Sequence, residues 1–442
     1  MKFFGKNALL SSRAAKKIYR NIKDLPIIDY HCHLSQKEIA EDMPLTDIGE
    51  VWLAKDHYKW RAMRLCGVDE KYVTGEATYK EKFFAYAEIM PKLVGNPLYY
   101  WTHMELNTVF GIQKPLSRET AAEIYEKANA NLKDVTVQSL LAKFRVRYLA
   151  TTDDPLDDLE NNGTYNQTTV APTFRPDKAL LLGEDYLQAL AKKTGEDLST
   201  LDGYQTALAK RLDYFLGRGC QIADHGFYAF PSRIAGAEEA QTLYQNRASL
   251  TAEDRDALFG YLLLWLSSEY AKRNMLLQLH FAVIRNCNPV GYKQCGVDAG
   301  YDLPGDIPQV ENAVRFFASM KDGLQPQTVI YALNDANLGA FCALTGAFPF
   351  VRVGAAWWFN DSLQGNARTM DAVAQYSALG TSLGMLTDSR SFTSYVRFDF
   401  YRRILSDYLG RKVMLGEYDL AEAMQTARDI AYYNVAGLLG IE

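Results

Sequence analysis

A short apolar run, ending in a polar residue and followed by an amphipathic helical stretch, recurs along this chain of 442 residues. Eight such runs can be read, ending at His33, Asp154, Arg175, His225, His280, Asn334, Trp358 and Arg390. The stretches between them, such as DYLQALAKKTG, repeat apolar residues at helical spacing. Strands that alternate with helices favour a parallel sheet of the α/β class, and eight of them favour closure into a (β/α)8 TIM barrel.

The interval between the first and second runs is much longer than one crossover needs. Residues 34–143 are helical in pattern and rich in aromatic side chains. We therefore predict an N-terminal helix with barrel strand 1 in residues 1–33, a helical insertion in residues 34–143, and the remaining barrel with C-terminal helices in residues 144–442. The loop after a barrel strand opens at the face where active sites are built, so the insertion should cap the pocket. A doubly wound open sheet is the alternative, but no glycine-rich phosphate motif follows the first strand.

Composition and charge narrow the range of partners. Hydrophobic residues make up 48% of the chain and the net charge is −5, so we expect a globular core and no broad surface for nucleic acid or anionic lipid. The longest apolar run, YLLLWL at 261–266, is too short to cross a membrane, and the N-terminus lacks the apolar stretch of a secretion signal. Six cysteines without a CxxC pair indicate a cytoplasmic protein with reduced thiols. A homo-oligomer is compatible with the sequence.

The first strand ends in DYHCH, which points to a metal site. Residues two apart share one face of a strand, so Asp29, His31 and His33 should all point into the pocket. Two imidazoles in a polar cavity suit a divalent metal such as zinc. His280 and Asp388 end two other strands and could complete a site with one position open for a substrate oxygen. An isolated HxH pair is often an ordinary pair of hydrogen-bonded histidines. The prediction of a metal site therefore depends on the position of this pair at the end of a strand.

Other strand ends carry residues suited to a polar, anionic ligand. Arg175 and Arg390 could each form bidentate hydrogen bonds with a carboxylate, or polarise a carbonyl. His225 ends a further strand and could orient a neighbour in the pocket. The Trp357-Trp358 pair could form an aromatic wall for a sugar ring, although two tryptophans are as often packing residues.

The insertion carries the motif DHYKWRAMR at 56–64. On a helix His57, Trp60, Arg61 and Arg64 would share one face, while Tyr58 would point aside. By pattern alone this segment is an ordinary amphipathic helix.

Taken together, the motifs resemble the uronate isomerase (glucuronate isomerase) family of the amidohydrolase superfamily. The resemblance runs from about residue 26 to residue 405. The matching stretches are DYHCHL at 29–34, DHYKWRAMR at 56–64, TTDDP at 151–155, LQLHF and IRN within 277–286, WWFND at 357–361 and MLTDSRSF at 385–392.

The resemblance implies a barrel with a helical insertion, a divalent metal that is usually zinc, and a sugar-acid substrate. Substrates of the family are D-glucuronate, isomerised to D-fructuronate, and D-galacturonate, isomerised to D-tagaturonate. We accordingly expect the metal ligands His31, His33 and Asp388, the catalytic residues His57, Tyr58, Asp388 and Arg390, and the substrate-binding residues Arg175, His280, Arg285 and Trp358.

Aldose–ketose isomerisation moves a proton from C2 to C1, and it needs a base and a charge partner for the enediol oxyanion. Either Tyr58 or His57 could exchange this proton while Arg390 holds the enediolate, and the sequence does not choose between them. The metal would grip the sugar acid and orient it. Two other functions stay open: a metal-dependent amidohydrolase-type hydrolase, whose product would gain a water, and a sugar-acid binder without turnover.

Overall fold

The computed structural model describes residues 3–307 and 309–441, in which parallel sheets lie at the centre. The strands are β1 (Ile27–Asp29), β2 (Val146–Ala150), β3 (Gly163–Tyr165), β4 (Thr168–Ala171), β5 (Thr173–Phe174), β6 (Ile222–Phe227), β7 (Leu276–Phe281), β8 (Val283–Ile284), β9 (Leu303–Pro304), β10 (Thr328–Ala332) and β11 (Val351–Val353). One sheet has the order β1-β2-β4-β3, with only β3 antiparallel, and a second, all-parallel sheet has the order β11-β10-β7-β6-β5. A short antiparallel pair, β8-β9, stands apart. The class is therefore mixed α/β, as predicted.

Helices follow most of the strands. They are α1 (Arg13–Ile22), α2 (Gln36–Ala40), α3 (Ile48–Leu53), α4 (His57–Leu65), α5 (Tyr79–Ile89), α6 (Pro97–Thr108), α7 (Ala121–Leu132), α8 (Val137–Lys143), α9 (Asp177–Leu180), α10 (Glu184–Thr194), α11 (Leu201–Leu216), α12 (Ala237–Gln245), α13 (Ala252–Lys272), α14 (Pro289–Cys295), α15 (Val310–Ala318), α16 (Leu338–Ala347), α17 (Leu363–Tyr376), α18 (Val396–Met414), α19 (Leu420–Arg428) and α20 (Asn434–Leu439). Within the described ranges, no helix is both long enough and apolar enough to cross a membrane.

The two larger sheets meet at the third predicted run, which proline divides. Pro172 has no N–H to donate to a ladder, and it separates β4 from β5. As a result β4 pairs with β2 and β5 pairs with β6. A parallel bridge between Asp153 and Phe174 links the sheets, and Arg175 N donates to Asp153 O over 2.9 Å. Arg175 therefore leaves the sheet beside the end of β2.

The eighth predicted run, residues 383–390, differs from the prediction because it is not a regular strand. Gly384 and Asp388 have φ of 72° and 45°, and this left-handed conformation interrupts an extended ladder. The end of the segment still bonds to the residues after β1: Asp388 N donates to His31 O over 3.1 Å, and His33 N donates to Ser389 O over 2.9 Å. Asp388 is therefore held beside the two histidines by backbone hydrogen bonds.

The interval between β1 and β2 carries α2 to α8, all of which lie within residues 34–143. Its apolar side chains, including the fully buried Trp52 and Phe83, share one core with α1 and α18. A second core surrounds the parallel strands and the helices of the later part of the chain. Because α4 is packed into the first core, its first turn is held in place over the strand ends.

Candidate active site and metal centre

A cavity of about 250 Å³ lies where the parallel strands end. Residues that follow β1, β2, β5 and β11 line it together with the end of β7, and the first turn of α4 closes it from the other side. Every residue assigned above to a metal, to catalysis or to the substrate lines this cavity: His31, His33, His57, Tyr58, Arg175, His280, Arg285, Trp358, Asp388 and Arg390. The fold thus brings the set together, while the role of each residue stays a prediction.

His31, His33 and Asp388 form a cluster that could hold a metal ion, with ligand atoms all within 4.8 Å of one another. Asp388 Oδ1 lies 3.1 Å from His33 Nε2 and 3.4 Å from His31 Nε2. The Nδ1 atom of His31 is buried and has no hydrogen-bond partner among the described residues, and the same holds for His280 Nε2. Two imidazole Nε2 atoms beside one carboxylate oxygen are the donor set expected around a zinc-like cation.

Electrostatics keep Asp388 and His33 in the protonation states that bind a cation. Burial opposes ionisation of Asp388, but hydrogen bonds from His31 and His33 outweigh it and hold the pKa of Asp388 well below its ordinary value. Burial lowers the pKa of His33 to about 4, so this ring is neutral at neutral pH. A charged carboxylate and a neutral imidazole are the protonation states that bind a divalent metal.

Asp224 in β6 is a site residue that the sequence prediction missed. It is fully buried, and its carboxylate lies 2.6 Å from His280 Nδ1, 2.9 Å from Arg175 Nη1 and 3.8 Å from His31 Nδ1. Burial opposes its ionisation, but the Arg175 guanidinium and the two histidines hold the pKa of Asp224 far below its usual range. Because an ionised carboxylate only accepts, His280 Nδ1 carries the hydrogen and His280 Nε2 keeps its lone pair.

The sequence analysis named the neighbouring residue, His225, as one that could orient a neighbour in the pocket, and His225 does not line the cavity. Successive residues of a strand point to opposite faces, so Asp224 and His225 cannot both face the cavity. His225 Nε2 lies 3.0 Å from the hydroxyl of Tyr270 in α13, behind the sheet. The signal that could have been used is a carboxylate within an otherwise apolar run, GCQIADH.

His57 and Arg390 contact each other across the cavity. Arg390 Nη1 lies 3.2 Å from His57 Nδ1, and Arg390 Nη2 donates to Asp298 Oδ2 over 2.8 Å. A guanidinium can only donate, so Nδ1 of His57 accepts and Nε2 of His57 carries the ring hydrogen. Burial and then Arg390 lower the pKa of His57, which makes the ring neutral at neutral pH. His57 can therefore offer an N–H to a sugar oxygen. Asp298, the partner of Arg390, was also missed in the sequence.

Tyr58 faces the cavity, contrary to the prediction that it points aside on the helix. Both His57 and Tyr58 belong to the first turn of α4, which Asp56 caps by accepting from Tyr58 N and Lys59 N over 3.0 and 3.2 Å. The ring of Tyr58 stacks on His57 at 4.7 Å and meets Trp358 edge-on at 6.2 Å. Burial and then Asp388 raise the pKa of Tyr58 well above its ordinary value. In the free protein this residue is a phenol.

Three cationic side chains make the cavity suited to an anion. Besides Arg390, Arg175 is held by Asp224 and by Asp177, which lies 2.8 Å from Arg175 Nε. Arg285 lies over the ring of Trp358 at 5.3 Å and pairs with Asp302 at 2.9 Å. Aromatic walls with guanidinium groups between them suit a small polyhydroxylated acid.

Comparison with known proteins gives consistent results. A family described as glucuronate isomerase matches residues 1–439. A uronate isomerase of Caldanaerobacter subterraneus subsp. tengcongensis is 38% identical, with 100% of each chain covered. The crystal structure of a uronate isomerase from Thermotoga maritima superposes with a TM-score of 0.96 at 35% identity, covering 99% of this chain and 100% of that one. A glucuronate isomerase structure from Caulobacter crescentus has a TM-score of 0.92 at 24% identity, covering 99% and 97%, and shares the fold.

Proposed function

The chain belongs to the glucuronate isomerase family and is an enzyme that isomerises uronates, and we propose that it does so by proton transfer through an enediol. One observation supports this mechanism: a single cavity contains a candidate metal cluster and the cation Arg175. The same cavity contains the group formed by His57, Tyr58 and Arg390. A sugar acid needs a charge partner at its carboxylate and proton-transfer groups at its carbonyl. The family also argues against the hydrolase alternative.

We propose that His31, His33 and Asp388 hold a divalent ion, with zinc the best match to two imidazoles and one carboxylate. When bound, such an ion supplies a positive charge that orients a sugar carboxylate and offsets the negative charge of Asp388. Asp388 is one of the groups that raise the pKa of Tyr58. Ion binding would therefore make negative charge on Tyr58 less unfavourable.

The proton moves between C2 and C1 in four linked changes. The phenolate of Tyr58 takes the C2 proton, and the electrons of the broken C2–H bond form the C1=C2 bond. His57 donates its Nε2 hydrogen to the C1 oxygen and regains a proton at Nε2 from the C2 hydroxyl, which leaves an oxyanion at C2 that Arg390 stabilises. Tyr58 then returns the proton to C1, and the oxygen at C2 becomes the carbonyl of the ketose. His57 is better suited to donate than to accept, because its Nδ1 lone pair is engaged by Arg390.

We further propose that the two large sheets and residues 383–390 close into an eight-stranded barrel, in which residues 34–143 form a capping insertion. The sheets are joined at Asp153 and Phe174, and the segment bearing Asp388 bonds to the end of β1. A closed barrel of parallel strands gathers all the strand ends at one face. The proposed substrates are D-glucuronate and D-galacturonate.

The test is incubation of the pure enzyme with each uronate in heavy water. We expect a 2-keto product with solvent deuterium at C1, because the proton passes through a protein group that exchanges with solvent. The extent of labelling depends on how well the helices above the cavity exclude water. Nuclear magnetic resonance and mass spectrometry of the product measure both the isomer and the label.

Two results would contradict the proposal. A product heavier by one water would indicate hydrolysis. A hydride shift would carry a C2 deuterium label wholly to C1 with no solvent entry. Complete retention of that label, together with normal turnover in both Tyr58→Phe and His57→Asn, would rule out the enediol.

Replacing Arg175 with methionine should lower kcat/KM for uronates by about 10²-fold, the range for losing a charged hydrogen-bonded pair. Steady-state kinetics measure the effect. Since Arg175 also pairs with Asp224, metal content and Tm of the variant serve as controls. Equal turnover of D-glucose and D-glucuronate by the wild type would show that no carboxylate is recognised.

A further inference from the structure

Arg397 in α18 is a buried cation behind the cavity wall. Its side chain is 3% exposed, and its Nη1 donates to the carbonyl of Thr387 over 2.9 Å. Within the part of the chain that the structure describes, it has no ion-pair partner. A buried charge without a direct counter-ion is unfavourable, so its retention calls for a physical reason.

The nearest groups around Arg397 are aromatic. Its guanidinium carbon lies 3.9 Å from the ring centroid of Trp101 and 5.4 Å from that of Tyr58. Thr387, which accepts from Arg397, directly precedes Asp388. One guanidinium thus contacts the backbone that carries the candidate metal ligand and faces the ring proposed to exchange the proton.

Among the described residues, the carboxylates near Arg397 have other direct partners. Asp56 is paired with Lys59 Nζ at 2.6 Å, and Glu105 accepts from Trp52 Nε1 at 2.6 Å. Asp361 accepts from an amide, that of Asn366, at 3.0 Å. Burial raises the pKa of Glu105, and it raises the pKa of Asp361 to about 6. The positive charge of Arg397 acts through space on these carboxylates and on Tyr58, and it lowers the pKa of each.

We propose that Arg397 is a positioning residue for the isomerisation, which holds Tyr58 against the segment carrying Asp388 and stabilises negative charge on the Tyr58 ring during proton transfer. This inference rests on the role proposed above for Tyr58. This role accounts for both contacts of Arg397, the hydrogen bond to the carbonyl of Thr387 and the approach to the ring of Tyr58. It also accounts for the absence of an ion pair between Arg397 and a carboxylate among the described residues.

The charged groups that face Tyr58 come from several elements. Burial has the largest effect on the pKa of Tyr58 and raises it, and Asp388, Asp361 and Asp56 raise it further. Arg397 has the opposite effect and lowers it. Within α4, His57 is neutral. Arg397 is thus a fixed cation that opposes the effect of these carboxylates on the ring.

The experiment compares Arg397→Met and Arg397→Lys with wild type, using the metal-loaded enzyme and D-glucuronate. An opposite charge within a few ångströms shifts a pKa by roughly one unit or more, so Arg397→Met should move the rising limb of the kcat–pH profile upward by about one pH unit. At neutral pH this gives about a tenfold loss of kcat, with a smaller change in KM. Arg397→Lys keeps the charge, and it should keep the limb near its wild-type position.

Arg402→Met is the matched control. Arg402 lies in the same helix, is 4% exposed, and donates to the carbonyls of Pro26 and Lys23 over 2.7 and 3.3 Å, outside the cavity. Its loss should lower Tm without moving the rising limb. Metal content and Tm of each variant separate this effect from loss of fold.

An unshifted limb in Arg397→Met, with kcat falling only in step with metal content or folded fraction, would overturn the inference. Tyr58→Phe in the same assay separates the two proposals. An inactive Tyr58→Phe beside an unshifted Arg397→Met overturns the role of Arg397 alone. An active Tyr58→Phe overturns the role of Tyr58, and that of Arg397 with it.

Discussion

Replacing Tyr58 with phenylalanine should lower kcat by about 10³-fold, while KM changes little, because positioned general acid–base groups contribute on that order. The substitution removes one oxygen and leaves the ring that stacks on His57 and meets Trp358. The loss should therefore fall on the proton transfer and not on packing. Steady-state kinetics with D-glucuronate, followed by detection of the ketose, measure it.

Tyr86→Phe is the control for loss of a buried hydroxyl. Tyr86 is fully buried and hydrogen-bonds Thr102 at 2.8 Å, within the helical core and outside the cavity. It should lose stability and keep its kcat. Turnover of Tyr58→Phe within a fewfold of wild type would remove Tyr58 from the mechanism.

Replacing His33 with alanine should remove the bound metal and lower kcat by about 10³-fold, since a catalytic ion contributes several kcal/mol of charge stabilisation. The wild type should carry about one divalent ion per chain, because one mononuclear set of two histidines and a carboxylate is proposed. His33 is suited to this test because its Nε2 lies 3.1 Å from Asp388 Oδ1 and its ring is neutral at neutral pH. Elemental analysis and kinetics are measured on the same preparations.

His225→Gln serves as the matched control, since His225 is buried in β6 and turned toward Tyr270. It should keep its metal. Equal metal in wild type and His33→Ala would disprove the ligand assignment, whatever the activities are.

The class of fold and much of the site could be predicted from local patterns. Alternation of apolar runs with amphipathic helices indicated a mixed α/β chain built on parallel strands, and the long aromatic interval between the first two runs indicated the helices that lie there. The two-residue period of a strand placed His31 and His33 on one face. The resemblance of the motifs to uronate isomerases is confirmed by relatives that cover the whole chain.

The same local patterns failed where the backbone departs from a regular element. Residues 383–390 have the composition of a strand, but positive φ at Gly384 and Asp388 breaks the ladder. Helical periodicity alone placed Tyr58 off the face that His57 shares with Trp60, because periodicity takes no account of how the first turn of α4 enters the cavity. In β6, residue type drew attention to His225, while Asp224, on the opposite face of the strand, lies against Arg175 and His280.

By itself, the sequence determined which residue types follow each strand and which faces they share, because these depend on backbone periods of two and 3.6 residues. The tertiary structure alone decided which charges meet. Asp224 reaches Arg175 and His280 across neighbouring strands, and Arg397 lies over Tyr58 from a helix far along the chain. Coulomb forces act through space and grow as water is excluded, so the charge states of such groups depend on burial and on distant neighbours.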